Sequence, residues 1–482
     1  MVPARPGWPV PDGCRPGHRR HHRRHEPGWS LSGAIRQGWR DRARPDGSHE
    51  GVRFVSTALQ PTGKLPPQPW MTAPQTVALI KALQADGKEA RFIGGCVRNA
   101  VFGLPVTDID IATPERPERV LELLQVANIK AIPTGIEHGT ITAVIDDWHY
   151  EVTTLRIDVE SHGRHATVAF SDDWRADAMR RDFTINTLSC NLEGDIYDPL
   201  TGLDDLGQRW VRFVGLARER IEEDVLRLLR FFRFQATFAG TTVDREALAA
   251  CRLLAPRLKE LSAERVRSEL FKILEAPNPA DTLGLMKGER VLEHVLPEAE
   301  NLGRLRMICW LETTAIKVPS VRPDTLRRLA ATLASDPSGH QALAARLRLS
   351  NEQTVRLSTM TSSTLAINPE TDLPARRKAL YQLGADNVRD LLLLNWAEEM
   401  SIEPRHSPQR TEAWLALLET ADNWTHPVFP ITGDDAITLG LEQGPGVGDV
   451  LGAVEDWWCE GDFKADRNQC MERLKKIIGE MT

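Results

Sequence analysis

Asp108 and Asp110, two residues apart in Thr107-Asp108-Ile109-Asp110-Ile111-Ala112, are the first residues whose types and spacing can do chemistry. On a strand the side chains alternate, so both carboxylates face one side and both isoleucines the other. Like charges held that close repel, and a divalent cation relieves the repulsion. Carboxylate oxygens suit Mg²⁺, which also takes phosphate oxygens. A solvated strand edge is the plainer alternative for such a pair alone. Upstream, Gly94-Gly95 closes the short strand-like run Ala90-Arg91-Phe92-Ile93 and opens a helix with Val97, Ala100 and Val101 on it. The free backbone N–H groups of such a turn can face an anion. Glu151, on the alternating stretch from His149 to Arg156, is the expected third acid, because that stretch should lie beside the aspartates. Asp146 and Asp147 read as the turn of a hairpin.

A second constellation lies further on. Asp224 and Arg227 are three apart, neighbours on one face of a helix, and Arg230 and Arg233 continue at the same step. Phe231, Phe232 and Phe234 among them read as core. Taken alone, Asp224 and Arg227 are as well read as an exposed intrahelical ion pair.

The elements that must hold these residues follow from periodicity. Ala73, Val77, Ile80 and Leu83 mark one apolar helix face, residues 118–125 a second helix, and residues 140–145 and 149–155 a hairpin. From about Glu219 onward the pattern is helical with no convincing strand. The expected fold class is therefore α+β: an N-terminal head of mixed sheet and helices, then an all-α remainder.

Composition sets the bounds. The chain has 41% hydrophobic and 26% charged residues, an ordinary globular mix, and no apolar run reaches the roughly 18 residues of a membrane span. Seven scattered cysteines with no Cys-x-x-Cys pair indicate neither a disulfide framework nor a zinc site, and a reducing cytoplasm is expected. The net charge of −7 hides ten arginines against five acids in residues 1–50, which leaves −12 for residues 51–482. Residues 1–65, rich in Pro, Gly, Arg and His, read as a disordered extension, with the true start near Met71. An acidic body argues against indiscriminate RNA coating, though not against a local basic groove.

Gly94-Gly95-Cys96-Val97-Arg98 followed by Asp108-Ile109-Asp110 resembles the nucleotidyltransferase head of the DNA polymerase β superfamily, and more narrowly the class II tRNA nucleotidyltransferase/poly(A) polymerase family. Three further stretches carry the likeness in order: Arg180-Arg181-Asp182-Phe183-Thr184-Ile185-Asn186, residues 198–206, and Glu223-Asp224-Val225-Leu226-Arg227-Leu228-Leu229-Arg230-Phe231-Phe232-Arg233-Phe234. A weaker one spans residues 429–435 and 444–448. Where the family usually has Asp after Val-Arg, this chain has Asn99, and retained activity is expected.

The resemblance implies a polymerase β-like head at 66–210, a helical neck with the base-selecting helix at 211–275, a body at 276–400 and a tRNA-binding tail at 401–482. It implies Asp108 and Asp110 as metal ligands for Mg²⁺, with Glu151 beside them in catalysis, and Gly94, Gly95, Arg98, Arg181, Asp224, Arg227, Arg230 and Arg233 as nucleotide-binding residues. Asp224 and Arg227 then act as a Watson–Crick mimic. The carboxylate accepts from the amine of cytosine or adenine and the guanidinium donates to the ring nitrogen, whereas guanine and uracil set a carbonyl against Asp224. Residues 134–142, Thr-Gly-Ile-Glu-His-Gly-Thr-Ile-Thr, look like the CCA-adding branch rather than the Arg-rich stretch of bacterial poly(A) polymerases. The expected partners are tRNA, CTP and ATP, with no membrane and no obligate protein partner. Poly(A) polymerase, a partial CC-adding or A-adding enzyme, and a nonenzymatic RNA-binding relative are the alternatives. Arg252, Arg257, Lys259, Arg265 and Arg267 are candidates to face RNA phosphates.

Overall fold

Alternation of apolar and polar residues builds the sheet that carries the acids. The computed structural model describes residues 59–481, apart from 163–164, 239, 241, 335–336 and 363–366. Its strands are β1 (Gly63–Lys64), β2 (Arg91–Ile93), β3 (Ile109–Thr113), β4 (Lys130–Gly135), β5 (Thr140–Ile145), β6 (Trp148–Thr154), β7 (Arg156–His162), β8 (His165–Phe170), β9 (Ser189–Cys190) and β10 (Asp195–Tyr197). Eight of them form one sheet in the order β1-β10-β9-β2-β3-β6-β5-β4, and β7 and β8 pair separately. Only β3 and β6 run parallel among the pairs of the large sheet; the others are antiparallel. Ile109 and Ile111 of β3 are buried, as are Tyr150 and Val152 of β6, while the residues between them face the other side. The hairpin of β5 and β6 turns at Asp146, which takes φ of 51°.

Two expectations change. Strand β3 starts at Ile109, so Asp108 precedes it and is exposed rather than lying on the strand beside Asp110. Residues 63–65, expected to belong to a disordered extension, are ordered: Gly63 and Lys64 pair with Ile196 and Asp195, and Leu65 is buried. A chain starting at Met71 would lack that strand. Residues 1–58, with the His- and Arg-rich tract, lie outside the described residues.

After the last strand, β10, comes the helix Gly202–Gly207, and the continuous run of helices starts at Ala217, close to the expected Glu219. The chain divides into two compact units. One holds the described residues up to Ile273 together with Leu285–Val295, and the other holds Leu274–Gly284 with the residues from Leu296 onward. Residues 211–273 belong to the same unit as the sheet.

The second unit is helical and is tied internally by a buried charge network. Glu312 accepts from Arg327 Nε at 2.9 Å and Arg328 Nε at 2.8 Å, and Asp390 takes Arg327 Nη1 at 2.8 Å. Residues 429–435, singled out in the sequence, start a helix through a capping box of Thr432 and Asp435, and Ile431 joins a cluster with Val450, Val454, Trp458 and Leu474. No described helix is long and apolar enough to cross a membrane.

Candidate active site

Parallel pairing of β3 with β6 sets Asp110 directly opposite Glu151. Each stands on the face away from its buried neighbours, so the two carboxylates share one side of the sheet. Burial, then the charge of Glu151, pushes Asp110 up to about 6, with Arg181 and Arg98 pulling weakly the other way. Asp108 touches Thr107, whose hydroxyl donates to Oδ2 at 3.3 Å. Among the described residues no three acidic, histidine or cysteine side chains converge into a ready-made metal cage. The donor set still fits a hard divalent cation. Two adjacent oxygen ligands of like charge suffer a repulsion that such an ion removes, and Mg²⁺ usually takes one or two carboxylates and completes its shell with water and substrate phosphates.

The glycine turn lies beside this pair. Gly94 has φ of 64°, a conformation that glycine alone takes freely, and a Cβ there would stand 3.2 Å from Arg181 Nη1. Glycine at 94 thus admits both the turn and the arginine. The helix Gly95–Phe102 follows and carries Arg98.

Arg98 is held by neutral oxygens. Its Nη1 donates to Asn186 Oδ1 at 2.5 Å, and Nε and Nη2 donate to Asn99 Oδ1 at 3.1 and 2.8 Å. Asn99 Nδ2 in turn donates to Pro105 O at 3.1 Å, which a carboxylate could not do. Burial and then Arg233 push Arg98 down to about 9.

Phe234 gathers the cations. The guanidinium carbons of Arg98, Arg230 and Arg233 lie 4.9, 5.5 and 4.3 Å from its ring centroid. Arg230 Nε donates to Asp182 at 2.6 Å and Arg233 Nη1 to Glu269 at 3.1 Å, so three guanidiniums share two carboxylates. Burial and then Arg230 also lower Arg233. Burial alone would raise Asp182, but Arg230 and the amide of Asn186 outweigh it and hold the carboxyl below the usual range. The cluster therefore has positive charge in excess, which favours a polyanion.

Arg181 stands between the cation cluster and the acids. It donates Nε and Nη2 to Asp177 at 3.2 and 2.9 Å and Nη1 to Asn186 O at 3.4 Å. Asn186 therefore joins three residues of the site: it receives Arg98 and Arg181 and donates to Asp182 at 2.8 Å. Neither Asn186, within the stretch 180–186, nor Asp177 is marked by residue spacing in the sequence. Phe234 was read as core only. It is buried, yet it is also the ring on which the arginines collect.

Asp224 and Arg227 do not share one continuous helix, contrary to expectation. Asp224 is extended, with φ of −146°, between Ala217–Glu223 and Leu226–Phe238. Its side chain caps the second helix through Leu226 N at 3.1 Å. Their backbones are joined, Arg227 N donating to Asp224 O at 3.0 Å, but their side chains turn to other partners: Asp224 receives Arg265, while Arg227 donates to Glu223, to Arg220 O at 3.1 Å and to Arg180 O at 3.3 Å. A spacing of three cannot reveal such a break. Arg227 acts on Asp182, and Asp224 on Arg230, so the pair is electrostatically continuous with the cation cluster. Of the basic residues expected to face RNA, Arg252 and Arg257 bind Glu289 and Glu260, and Arg265 binds Asp224.

Comparison with known proteins gives a consistent picture. Residues 90–212 match the family described as "Poly A polymerase head domain", and residues 240–302 match "Probable RNA and SrmB- binding site of polymerase A". The chain is 31% identical over 407 residues to the mouse protein named CCA tRNA nucleotidyltransferase 1, mitochondrial, covering 83% of this chain and 89% of that one. It is 28% identical over 416 residues to a Streptococcus pneumoniae CCA-adding enzyme, covering 83% and 97%. Among solved structures it resembles the Bacillus stearothermophilus CCA-adding enzyme in complex with CTP, with a TM-score of 0.68, 24% identity, and coverage of 84% of this chain and 98% of that one.

Proposed function

Because this chain belongs to the tRNA nucleotidyltransferase/poly(A) polymerase family, we propose that it is a CCA tRNA nucleotidyltransferase, adding C, C and A to tRNA 3′ ends from CTP and ATP without a nucleic-acid template. The observation that carries the reading is the continuity of one site: the acid pair Asp110 and Glu151, the three guanidiniums around Phe234, and the Asp224 and Arg227 pair. Each part answers one need of nucleotidyl transfer, namely the reacting phosphorus, the triphosphate and the base.

Asp108 and Asp110, with Glu151 adjacent, would hold Mg²⁺, which supplies activation of the RNA 3′-hydroxyl and charge stabilisation at the α-phosphorus. Arg98, Arg230 and Arg233 draw in and orient the triphosphate, and their excess charge eases the departure of pyrophosphate. Arg181, fixed on Asp177, would contact phosphate or ribose. Asp224 accepts the amine of C or A, and Arg227 donates to the ring nitrogen. A carbonyl in place of the amine meets a carboxylate and is rejected.

The six described cysteines are all buried free thiols, which fits a reducing compartment such as the cytoplasm. Poly(A) addition is the second reading, and a matched pair of substrates separates the two. Given ATP alone, the protein should add one residue to tRNA ending in CC and leave generic RNA unextended. Long A tails on generic RNA would establish the second reading instead. Asp110→Ala should abolish incorporation while tRNA binding persists; retained turnover excludes the metal role.

A further inference from the structure

Arg91 of β2 is a buried cation that the chemistry described above does not use. Its guanidinium carbon lies 3.6 Å from the ring centroid of Tyr197 on β10 and 4.3 Å from that of Trp174. Nη2 pairs with Glu89, while Nε and Nη1, both buried, have no hydrogen-bond partner among the described residues. Donors held from water without a partner carry a penalty, which contact with two aromatic faces offsets. An apolar side chain would fill the same space without that penalty. What it lacks is a flat cation that stacks on a ring and fixes the ring's plane.

Trp174 links that stack to the site. It opens the helix Trp174–Met179, whose six residues are too few to hold a helix unaided, and it packs on Ile93, Ala112 and Leu155 of the sheet's edge. Asp177 is buried three positions on, a neighbour on the same helical face. Its Oδ2 receives Arg181 Nε and Nη2 at 3.2 and 2.9 Å, and its Oδ1 receives Arg180 Nε at 2.8 Å. We propose that Arg91 is a positioning residue for nucleotide binding: it fixes the Trp174 ring and, through the helix Trp174–Met179, the Asp177 carboxylate that aims Arg181 at the nucleotide. The inference rests on the reading of Arg181 as a phosphate or ribose contact. Without the guanidinium the ring is free to tilt, the short helix shifts with it, and Arg181 is presented to the nucleotide in more than one place.

Full-length proteins carrying Arg91→Met, Arg91→Lys, Arg181→Ala, or Arg91→Met together with Arg181→Ala test this. On tRNA lacking its CCA end, kcat and KM are measured for CTP, and the thermal midpoint is recorded beside them. Arg91→Met should raise KM on the order of tenfold or more, as displacement of a binding group from a distance does. Arg91→Lys should do the same, because an ammonium keeps the charge but not the plane. With Arg181 already replaced, Arg91→Met should change KM by less than about twofold, since residues acting through one contact are not additive. Two independent effects that multiply in the double variant overturn the proposal. So does a lowered midpoint or kcat with KM unchanged, which is the signature of a purely structural stack. Should Arg91→Met fail to fold, Trp174→Leu carries the same comparison from the side of the ring. The controls separate the readings. If the native protein incorporates no CTP, the functional reading fails and takes this inference with it. If Arg181→Ala leaves KM unchanged, the role of Arg181 fails, and the inference with it. If the native protein is active and Arg181→Ala raises KM while Arg91→Met does not, the inference alone fails.

Discussion

Asn99 combines two bonds that an aspartate could not: it accepts from Arg98 and donates to Pro105 O at 3.1 Å. Asn99→Asp would strengthen the contact with Arg98 but set a carboxylate against a carbonyl oxygen. A lost hydrogen bond costs about 1 kcal/mol. The expected result is a small drop in thermal midpoint and a change in nucleotide incorporation of less than about tenfold; a gain of several orders of magnitude would show that Arg98 needs a charged partner. At Asp110 function and stability oppose each other. Replacing it with Asn removes one of two facing like charges, so the variant should be inactive with Mg²⁺ present, yet in chelator at neutral pH it should melt no lower than the native protein. A clear drop in midpoint would contradict the repulsion argued here. Asp182 gives the pH dependence. Its folded pKa lies below the unfolded value, so its contribution is present above the usual carboxylate range and is lost as pH falls through the folded value. Asp182→Asn should therefore flatten the acid limb of the stability curve, as read by denaturation at stepped pH.

At the scale of elements, one close approach governs the loop that carries Arg181, Asp182 and Asn186. A Cβ on Gly202 would lie 2.2 Å from Thr184 O, so backbone must move. Gly202→Ala should cost about 2–4 kcal/mol in denaturant unfolding and depress incorporation with it; an unchanged midpoint would mean the loop is not held there. Much of this level was legible in the sequence. The period of two marked which residues of β3 and β6 face the core, whereas the register of Glu151 with Asp110 comes from the parallel pairing, which spacing does not give. Gly94-Gly95 marked the turn because the backbone conformation at Gly94 needs glycine. The break at Asp224 was not legible, since the capping side chain and its distant partner Arg265 decide it, and neither leaves a mark on local spacing. The hub at Asn186 escaped for a like reason: its bonds arise from a short helical turn, Thr184–Asn186, with no periodicity of its own. Strand β1 is two residues long and gives no pattern at all.

At the scale of the molecule, charge is arranged rather than merely counted. A chain of net charge −7 places three guanidiniums around one ring and pairs several of its other arginines with carboxylates. The second compact unit holds a buried example. Glu312 is fully buried between Arg327 and Arg328, whose side chains are 5% and 1% exposed. Glu312→Gln leaves Arg328 without a carboxylate in the interior and Arg327 with Asp390 alone, and should destabilise that unit by about 3–5 kcal/mol. Calorimetry should show the loss, and an unshifted transition would mean that the network contributes little. The central claim is that protein side chains alone choose C, C and A for the end of a tRNA. Sequencing the 3′ ends formed when native protein meets tRNA lacking CCA and all four nucleoside triphosphates tests it directly. The expected product ends in CCA and stops there. Ends of mixed sequence, or A tails that continue past the third residue, would contradict it.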